Sequence, residues 1–355
     1  MFVTLENLFF AWDEFKKEKQ NKPDVMEFER RLEDNLFRLY EDLNKKTYFH
    51  QPYQTFYIYD PKFRVINKAA VRDRVLHHFV FKYLEKIYEP HFIYHSYSCR
   101  KGKGTHLAVQ DLSRALRAIT KNYTKQVWAL KMDIKKFFDS IDHEILLRLL
   151  KRRVQNQDMF WLLEQIVRSF NSPRSQGKGV PIGNLTSQIF ANIYLSELDY
   201  FVKFILRARY YFRYADDFIF LHENQKYLLH LCRQVQEFLG SALSLTAHPR
   251  KITIRKFRQG VDFLGYVLLP YRAALRTKTK RRMFKKISRK VEEYNNGLVD
   301  EYKLNQSMQS YLGIIGHCNG HRLGQKLQNE VWASKRTGGI LSCGKSVEKP
   351  LDTKN

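Results

Sequence analysis

Three carboxylates stand out in this sequence by their positions. Asp133 closes a short apolar run over residues 127–134, and Asp216 and Asp217 sit side by side in an aromatic stretch over residues 208–222. The alternation of rings and polar residues in that stretch reads as two short strands joined by a tight turn, with the acids at the tip. A charge at the end of a buried strand and a charged pair at a hairpin tip are costly unless something positive binds them. Hard cations take oxygen ligands, and two divalent ions roughly 3.5–4 Å apart can hold the attacking and leaving oxygens of an in-line phosphoryl displacement. Each acid taken alone also fits a plainer role, the Asp-Asp pair as turn residues and Asp133 as a cap. The case for phosphoryl chemistry rests on their combination and on the charge of the rest of the chain.

Positioning such acids requires a scaffold, and the hydrophobic spacing supplies one. Behind the strand ending at Asp133 comes a helix that Asp142 should cap. After a glycine-containing break at residues 177–183, Leu185, Ile189 and Ile193 with Phe190, Tyr194, Leu198 and Val202 mark a long amphipathic helix. Further helices are predicted over residues 71–88, 107–120 and 225–239, and short strands over 244–256 and 260–269. Residues 7–43 read as helical with a break at Asn21, Lys22 and Pro23, residues 48–66 as extended, and 278–295 and 304–315 as helices of a basic C-terminal lobe. His77 and His78 lie in an apolar helix with no His or Cys at ligand spacing, which favours a structural role.

The chain has 355 residues, with 62 Lys plus Arg against 36 Asp plus Glu, and so a formal net charge of +26. Those charges run from Lys16 to Lys354 and are not gathered in a tail. A content of 44% apolar residues, with 26 Phe and 21 Tyr, excludes a disordered basic segment and implies a folded protein of two or three lobes. Counterion release makes a phosphate backbone the natural ligand of so basic a surface, and interleaved rings suit stacking on bases. Arg100, Lys101 and Lys103, spaced by Gly102 and Gly104, form a loop able to approach an anion closely, although such loops also serve as plain turns. No run reaches the roughly 18 apolar residues needed to cross a bilayer, so no membrane partner is expected and the protein should be soluble and intracellular. Cys99, Cys232, Cys318 and Cys343 share no CxxC spacing and read as incidental thiols.

At this point the motifs resemble those of the reverse transcriptases, through MDIKKFFDSI at 132–141 and YADD at 214–217 within FRYADDFIF. More narrowly, the chain is similar to the reverse transcriptases of diversity-generating retroelements, because the motif that most relatives write as QGxxxSP stands here as IGNLTSQ at 182–188. The resemblance extends from RVINKAAVRDRVLHHF, starting at Arg64, through HSYSCRKGKGTH to HPRKI, ending at Ile252, and FLGY at 263–266. It implies an α+β right-hand polymerase: a helical extension over 1–45, fingers over 46–126, a palm on a small antiparallel sheet over 127–272 with finger insertions around 143–180, and a helical thumb over 273–355. The stretch after Tyr266 is expected to hold a thumb and neither a maturase domain nor a DNA endonuclease. Group II intron reverse transcriptases share many of these elements.

By the same resemblance Asp133 and Asp216 bind two Mg2+ ions, which Mn2+ could replace, Asp217 completes the acidic cluster, and Ile134 adds its carbonyl. The primer 3′-hydroxyl then attacks the α-phosphate of a dNTP. Arg64, Lys68, Arg72 and Arg74 match the segment that cradles the triphosphate, and Lys251 matches the lysine that protonates pyrophosphate. Phe137, with Phe138 beside it, is the expected gate against a 2′-hydroxyl, and Ile182, Gly183 and Gln188 belong to the nucleotide-binding motif. Arg100, Lys101 and Lys103, with Lys280, Arg281 and Arg282 of a basic tract over 276–290, are expected on nucleic acid, although any one of so many bases serves equally well as a surface charge. A glutamine in place of Ile182 could hydrogen-bond as well as pack, and losing one such bond, about 0.5–1.5 kcal/mol, implies up to roughly tenfold weaker discrimination.

The activity so implied is RNA-directed synthesis of cDNA on a template-repeat RNA, with errors mainly opposite adenine. Its partners would be the template RNA, the RNA–cDNA duplex, dNTPs and a basic accessory variability protein that forms an oligomer, in the cytoplasm of a bacterium and encoded by it or by a phage. The rivals are a phage-defence or retron reverse transcriptase and a catalytically idle RNA-binding protein of the same fold.

Overall fold

A computed structural model of the chain describes residues 3–59, 62–173 and 175–337. Cys343 and residues 338–355 of the expected thumb lie outside the described residues.

The chain opens with α1 (Leu5–Lys16), α2 (Pro23–Glu29) and α3 (Leu32–Asn44). Thr4 caps α1 by accepting from the amide of Asn7 at 3.2 Å, and Pro23 starts α2, where its missing N–H costs nothing. A two-stranded antiparallel ribbon follows, β1 (Gln54–Ile58) with β2 (Arg64–Lys68), and then α4 (Val71–Tyr88), on which the N-terminal helices pack. Next come α5 (Thr105–Ile119), β3 (Trp128–Asp133), the single turn α6 (Phe137–Ser140), α7 (His143–Lys151), α8 (Gln157–Arg168) and α9 (Leu185–Tyr200). The expected cap is present: Asp142 accepts from the amides of Glu144 and Ile145 at the start of α7.

The hairpin of β4 (Tyr210–Tyr214) and β5 (Asp217–His222) leads into α10 (Gln225–Leu243) and β6 (Thr253–Lys256). Strand order in this sheet is β4-β5-β3-β6. Burial differs here from what periodicity predicts. The helix expected to be amphipathic, α9, is buried on nearly every side, and β5 buries four consecutive residues, Phe218 to Leu221. The expected strand over 244–256 is reduced to β6, because residues from Pro249 to Lys251 turn as a short 3-10 helix.

The chain divides into two compact units, one of residues up to Ala108 with Trp128–Ile254, the other of Val109–Val127 with the residues from Arg255 onward. The second unit contains the sheet β7 (Val261–Phe263), β8 (Tyr266–Leu269) and β9 (Arg272–Leu275), followed by α11 (Thr277–Asn295), α12 (Glu301–Gly316) and α13 (His321–Thr337). Residues 255–272, assigned above to the palm, thus cluster with the C-terminal helices. Met283, Ile287 and Val291 of α11 pack with Leu304, Met308 and Ile315 of α12 and with Leu327 and Val331 of α13. Two of these three helices were legible from spacing, and α13 was not. Among the described residues no helix is long and apolar enough to cross a membrane.

Candidate active site

The register of the central sheet brings the three acids to one end. β3 and β5 run antiparallel with Asp133 opposite Asp217, and β4 pairs with β5 so that Tyr214 also stands opposite Asp217. Ala215 and Asp216 are left as a two-residue loop, with Ala215 at φ +51°. A left-handed alanine is a strained residue, and such strain is retained where the surroundings over-determine it. Here the amide of Ile134 donates to the carbonyl of Asp216 at 3.3 Å, and the amide of His248 to that of Asp133 at 2.7 Å. Leu130, Met132, Phe218 and Phe220 are buried on one face, and Ala129, Ile219 and Leu221 on the other, so a slipped register would have to repack the core on both sides of the sheet, and packing holds the register that gathers the acids.

Two lysines already answer the negative charge. Lys251 Nζ lies 2.6 Å from Asp133, and Lys131 Nζ lies 3.0 Å from Asp217. Burial, and next the neighbouring Asp133, push the Asp216 carboxyl up to about 6. Among the described residues no three His, Cys, Asp or Glu side chains stand ready as a metal cage; Asp133 and Asp217 are instead engaged by lysines. The donor chemistry nonetheless fits a hard divalent cation: oxygen ligands from distant segments, one of them held against ionisation by burial and by a like charge. Lys131 escaped the sequence argument although a signal existed, since it lies two residues before Asp133 and therefore on the same face of β3.

Arg213 was also missed. Its side chain is wholly buried and all five of its N–H donors are used: Nε and Nη2 on the Asp199 carboxylate at 2.7 and 2.6 Å, Nη2 on Ser96 Oγ at 2.9 Å, and Nη1 on Asn192 Oδ1 and the Ala215 carbonyl, both at 3.3 Å. Tyr211 donates its hydroxyl to the same carboxylate at 2.8 Å. The loop that carries Asp216 is thereby tethered to α9. No local pattern announces this, because Asp199 belongs to a different element.

The remaining expected residues divide. Phe137 is enclosed in the core while Phe138 keeps open surface, their rings meeting edge to face at 5.4 Å. Of the two rings expected at the sugar, Phe137 is thus surrounded by protein and Phe138 is the one with open surface. Of the basic fingers segment, Arg64 is exposed at the start of β2. Lys68 lies 2.6 Å from Asp24, Arg74 pairs with the same carboxylate, and Arg72 pairs with Asp42. Arg72 also covers the Tyr48 ring and Arg74 the Phe15 ring, so these three side chains tie the N-terminal helices to α4 and β2. Ile182 is half-buried, and Gly183 and Gln188 are exposed.

In the glycine loop, Arg100 is inward: its guanidinium holds Glu89 and the carbonyls of Ile93 and Ser96, which occupies the donors expected on phosphate. Lys101 is exposed, and the Lys103 ammonium sits 3.2 Å over the Tyr94 ring. Lys280, Arg281 and Arg282 are exposed on α11, beside the buried Met283. His77 is fully buried and stacks on His50, and His78 meets Phe15 edge-on.

Comparison with known proteins agrees with this geometry. The family model described as "Reverse transcriptase (RNA-dependent DNA polymerase)" matches residues 45–268. Protein YkfC of Escherichia coli is 25% identical over 264 residues, covering 63% of this chain and 69% of that protein. The group II intron-encoded protein LtrA of Lactococcus lactis is 28% identical over 217 residues, 58% of this chain but only 35% of the relative. Among solved structures, a telomerase from Candida albicans, determined with the TWJ fragment of telomeric RNA, superposes with a TM-score of 0.51 at 12% identity, over 81% of this chain and 55% of that one. That likeness is one of fold. With more than half of its length matched by the family model, and with the three motif acids gathered at one end of an antiparallel sheet, the chain belongs to the reverse transcriptases, the RNA-dependent DNA polymerases.

Proposed function

We propose that the chain copies RNA into cDNA as the polymerase of a diversity-generating retroelement, misincorporating mainly opposite adenine. The observation that carries this reading is the segment IGNLTSQ, where an apolar Ile182 stands in place of a glutamine amide. Asp133 and Asp216, with Asp217 and the Ile134 carbonyl nearby, would hold divalent ions, Mg2+ or Mn2+, whose chemistry is activation of the primer hydroxyl and neutralisation of phosphoryl charge. Lys251, whose Nζ lies 2.6 Å from Asp133, would give a proton to the departing pyrophosphate. Phe138 would exclude a 2′-hydroxyl, Ile182 would pack on the incoming base pair, and Arg64 would meet the triphosphate. The exposed bases of α11 would follow the RNA–cDNA duplex through its phosphates, with affinity falling steeply as salt rises. The basic accessory protein and a cytoplasmic setting belong to the same proposal.

Primer extension on a structured RNA, followed by sequencing of the cDNA, tests it. Ile182→Gln is expected to lower misincorporation opposite adenine by up to roughly tenfold, leaving errors at other bases nearly unchanged; equal adenine error rates would remove Ile182 from the explanation. A chain that retards RNA yet extends no primer would support an idle binder instead, a reading that the retention of all three acids disfavours.

The gate has its own measurement. Phe138→Ala should raise acceptance of ribonucleotides by about ten- to a hundredfold, since forcing an extra atom into a filled site costs about 1–3 kcal/mol. Phe137→Ala should instead destabilise the fold by about 3–5 kcal/mol with sugar preference unmoved. The opposite result, in a competition between dNTP and rNTP, would return the gate to Phe137.

A further inference from the structure

Asn184 occupies the N-cap position of α9, where an asparagine ordinarily accepts a hydrogen bond from the first turn of its own helix. It makes no such bond. Its side chain reaches β2 instead: Nδ2 donates to the carbonyl of Asn67 at 2.8 Å, and Oδ1 accepts from the amide of Ala69 at 3.3 Å. Partners of opposite kind fix which end of the carboxamide is which. A third bond joins the same stretches, the amide of Asn67 donating to the carbonyl of Ile182 at 3.3 Å. Asn184 is only 2% exposed, so a bond lost here leaves a buried polar group unmatched.

Both backbone groups of Asn67 are thus taken by residues 182–184, a turn that docks against β2. Gly183 makes the approach possible: at φ +105°, the Cβ it lacks would lie 2.9 Å from Ile66 Cγ2. The side chain of Ile182 has no hydrogen bond with which to locate itself, so its place is set by this backbone clamp.

We propose that Asn184 is a positioning residue for nucleotide selection: by clamping residues 182 and 183 to the strand that begins at Arg64, it sets the spacing of two walls of the nucleotide pocket. This rests on the proposed assignment of Ile182 and Arg64 to that pocket.

Two variants test it. Asn184→Ala removes both side-chain bonds. Asn184→Ser keeps a hydroxyl able to cap α9 but too short to span residues 67 and 69, so it preserves the helix while releasing the strand. For both, KM for dNTP is expected to rise about tenfold with kcat within about twofold, and errors to rise at all four template bases. Amide exchange at residues 67 and 69, measured on the nucleotide-free chain, should quicken. Combined with Ile182→Gln, the effect on error rate should be non-additive. Unchanged exchange at 67 and 69, a fall in kcat with KM unmoved, or additive errors would each overturn the proposal. A wild-type chain without polymerase activity would strike at the function proposed above, while the exchange measurement would still decide whether the clamp exists.

Discussion

Asp216→Asn is expected to cut primer extension by at least about 10³-fold and, at the same time, to make the metal-free chain more stable at neutral pH. The loss follows from removing an oxygen ligand from the place where phosphoryl charge must be neutralised. The gain follows from burial. Because the carboxyl of Asp216 is pushed up to about 6 by desolvation and by Asp133, ionising it in the folded chain is uphill. A group whose folded value lies above its unfolded one contributes stability that is complete below about pH 4 and lost as pH rises through about 6, here about 2–3 kcal/mol. Asparagine carries no such charge. In thermal unfolding without metal, wild type should therefore lose stability relative to the variant between pH 4 and about 6. Added Mg2+ or Mn2+ should raise the midpoint of wild type well above its effect on the variant, since only ligands that bind the folded state stabilise it. Equal metal-induced shifts in the two proteins would show that Asp216 is not a ligand.

Arg213→Ala should cost about 3–5 kcal/mol, the usual penalty for stranding one member of a buried ion pair, out of a total that for most domains is about 5–15 kcal/mol. Asp199 would be left in the core with the Tyr211 hydroxyl as its remaining side-chain donor among the described contacts. A structural pair and a tether for the catalytic loop predict different rescues. Replacing both partners by apolar residues, Arg213→Met with Asp199→Leu, should recover most of the stability, because the desolvation penalty disappears with the charges. Activity should stay low in that double variant, because the bond from Arg213 to the Ala215 carbonyl is still missing and the loop carrying Asp216 is released. Stability measured by denaturant titration and kcat by primer extension would separate the two; recovery of both together would reduce Arg213 to a packing residue.

Much of the scaffold was legible because it follows from local rules. The break at Pro23, the cap at Asp142, the strand ending at Asp133 and the aromatic hairpin each depend on a few neighbouring residues, although the turn falls on Ala215 and Asp216, and Asp217, expected at the tip, opens β5. What failed did so where burial is decided by contacts from elsewhere. Residues 244–256 carry strand-like composition, yet only Thr253–Lys256 find a partner. α9 has a helical stripe, but this central helix is covered on nearly every side whatever its stripe. Of the basic residues, type and spacing alone could not separate Arg64, which is exposed, from Arg72, Arg74 and Arg100, each of which is consumed by a carboxylate of the chain itself.

What the amino-acid order put forward without help was the kind of chemistry to expect: which acids could carry it, that they lie on strand and turn, and that the chain is strongly basic. Those statements rest on residue type and short spacing, which survive without knowledge of neighbours. The tertiary structure alone decided which of two adjacent phenylalanines is open, which lysines stand on the acids, and that Arg213 and Asn184 spend their hydrogen bonds on the catalytic loop and on β2. Each of these depends on two segments far apart in the chain meeting in a medium where an unpaired polar group is costly, and no window of sequence contains both partners.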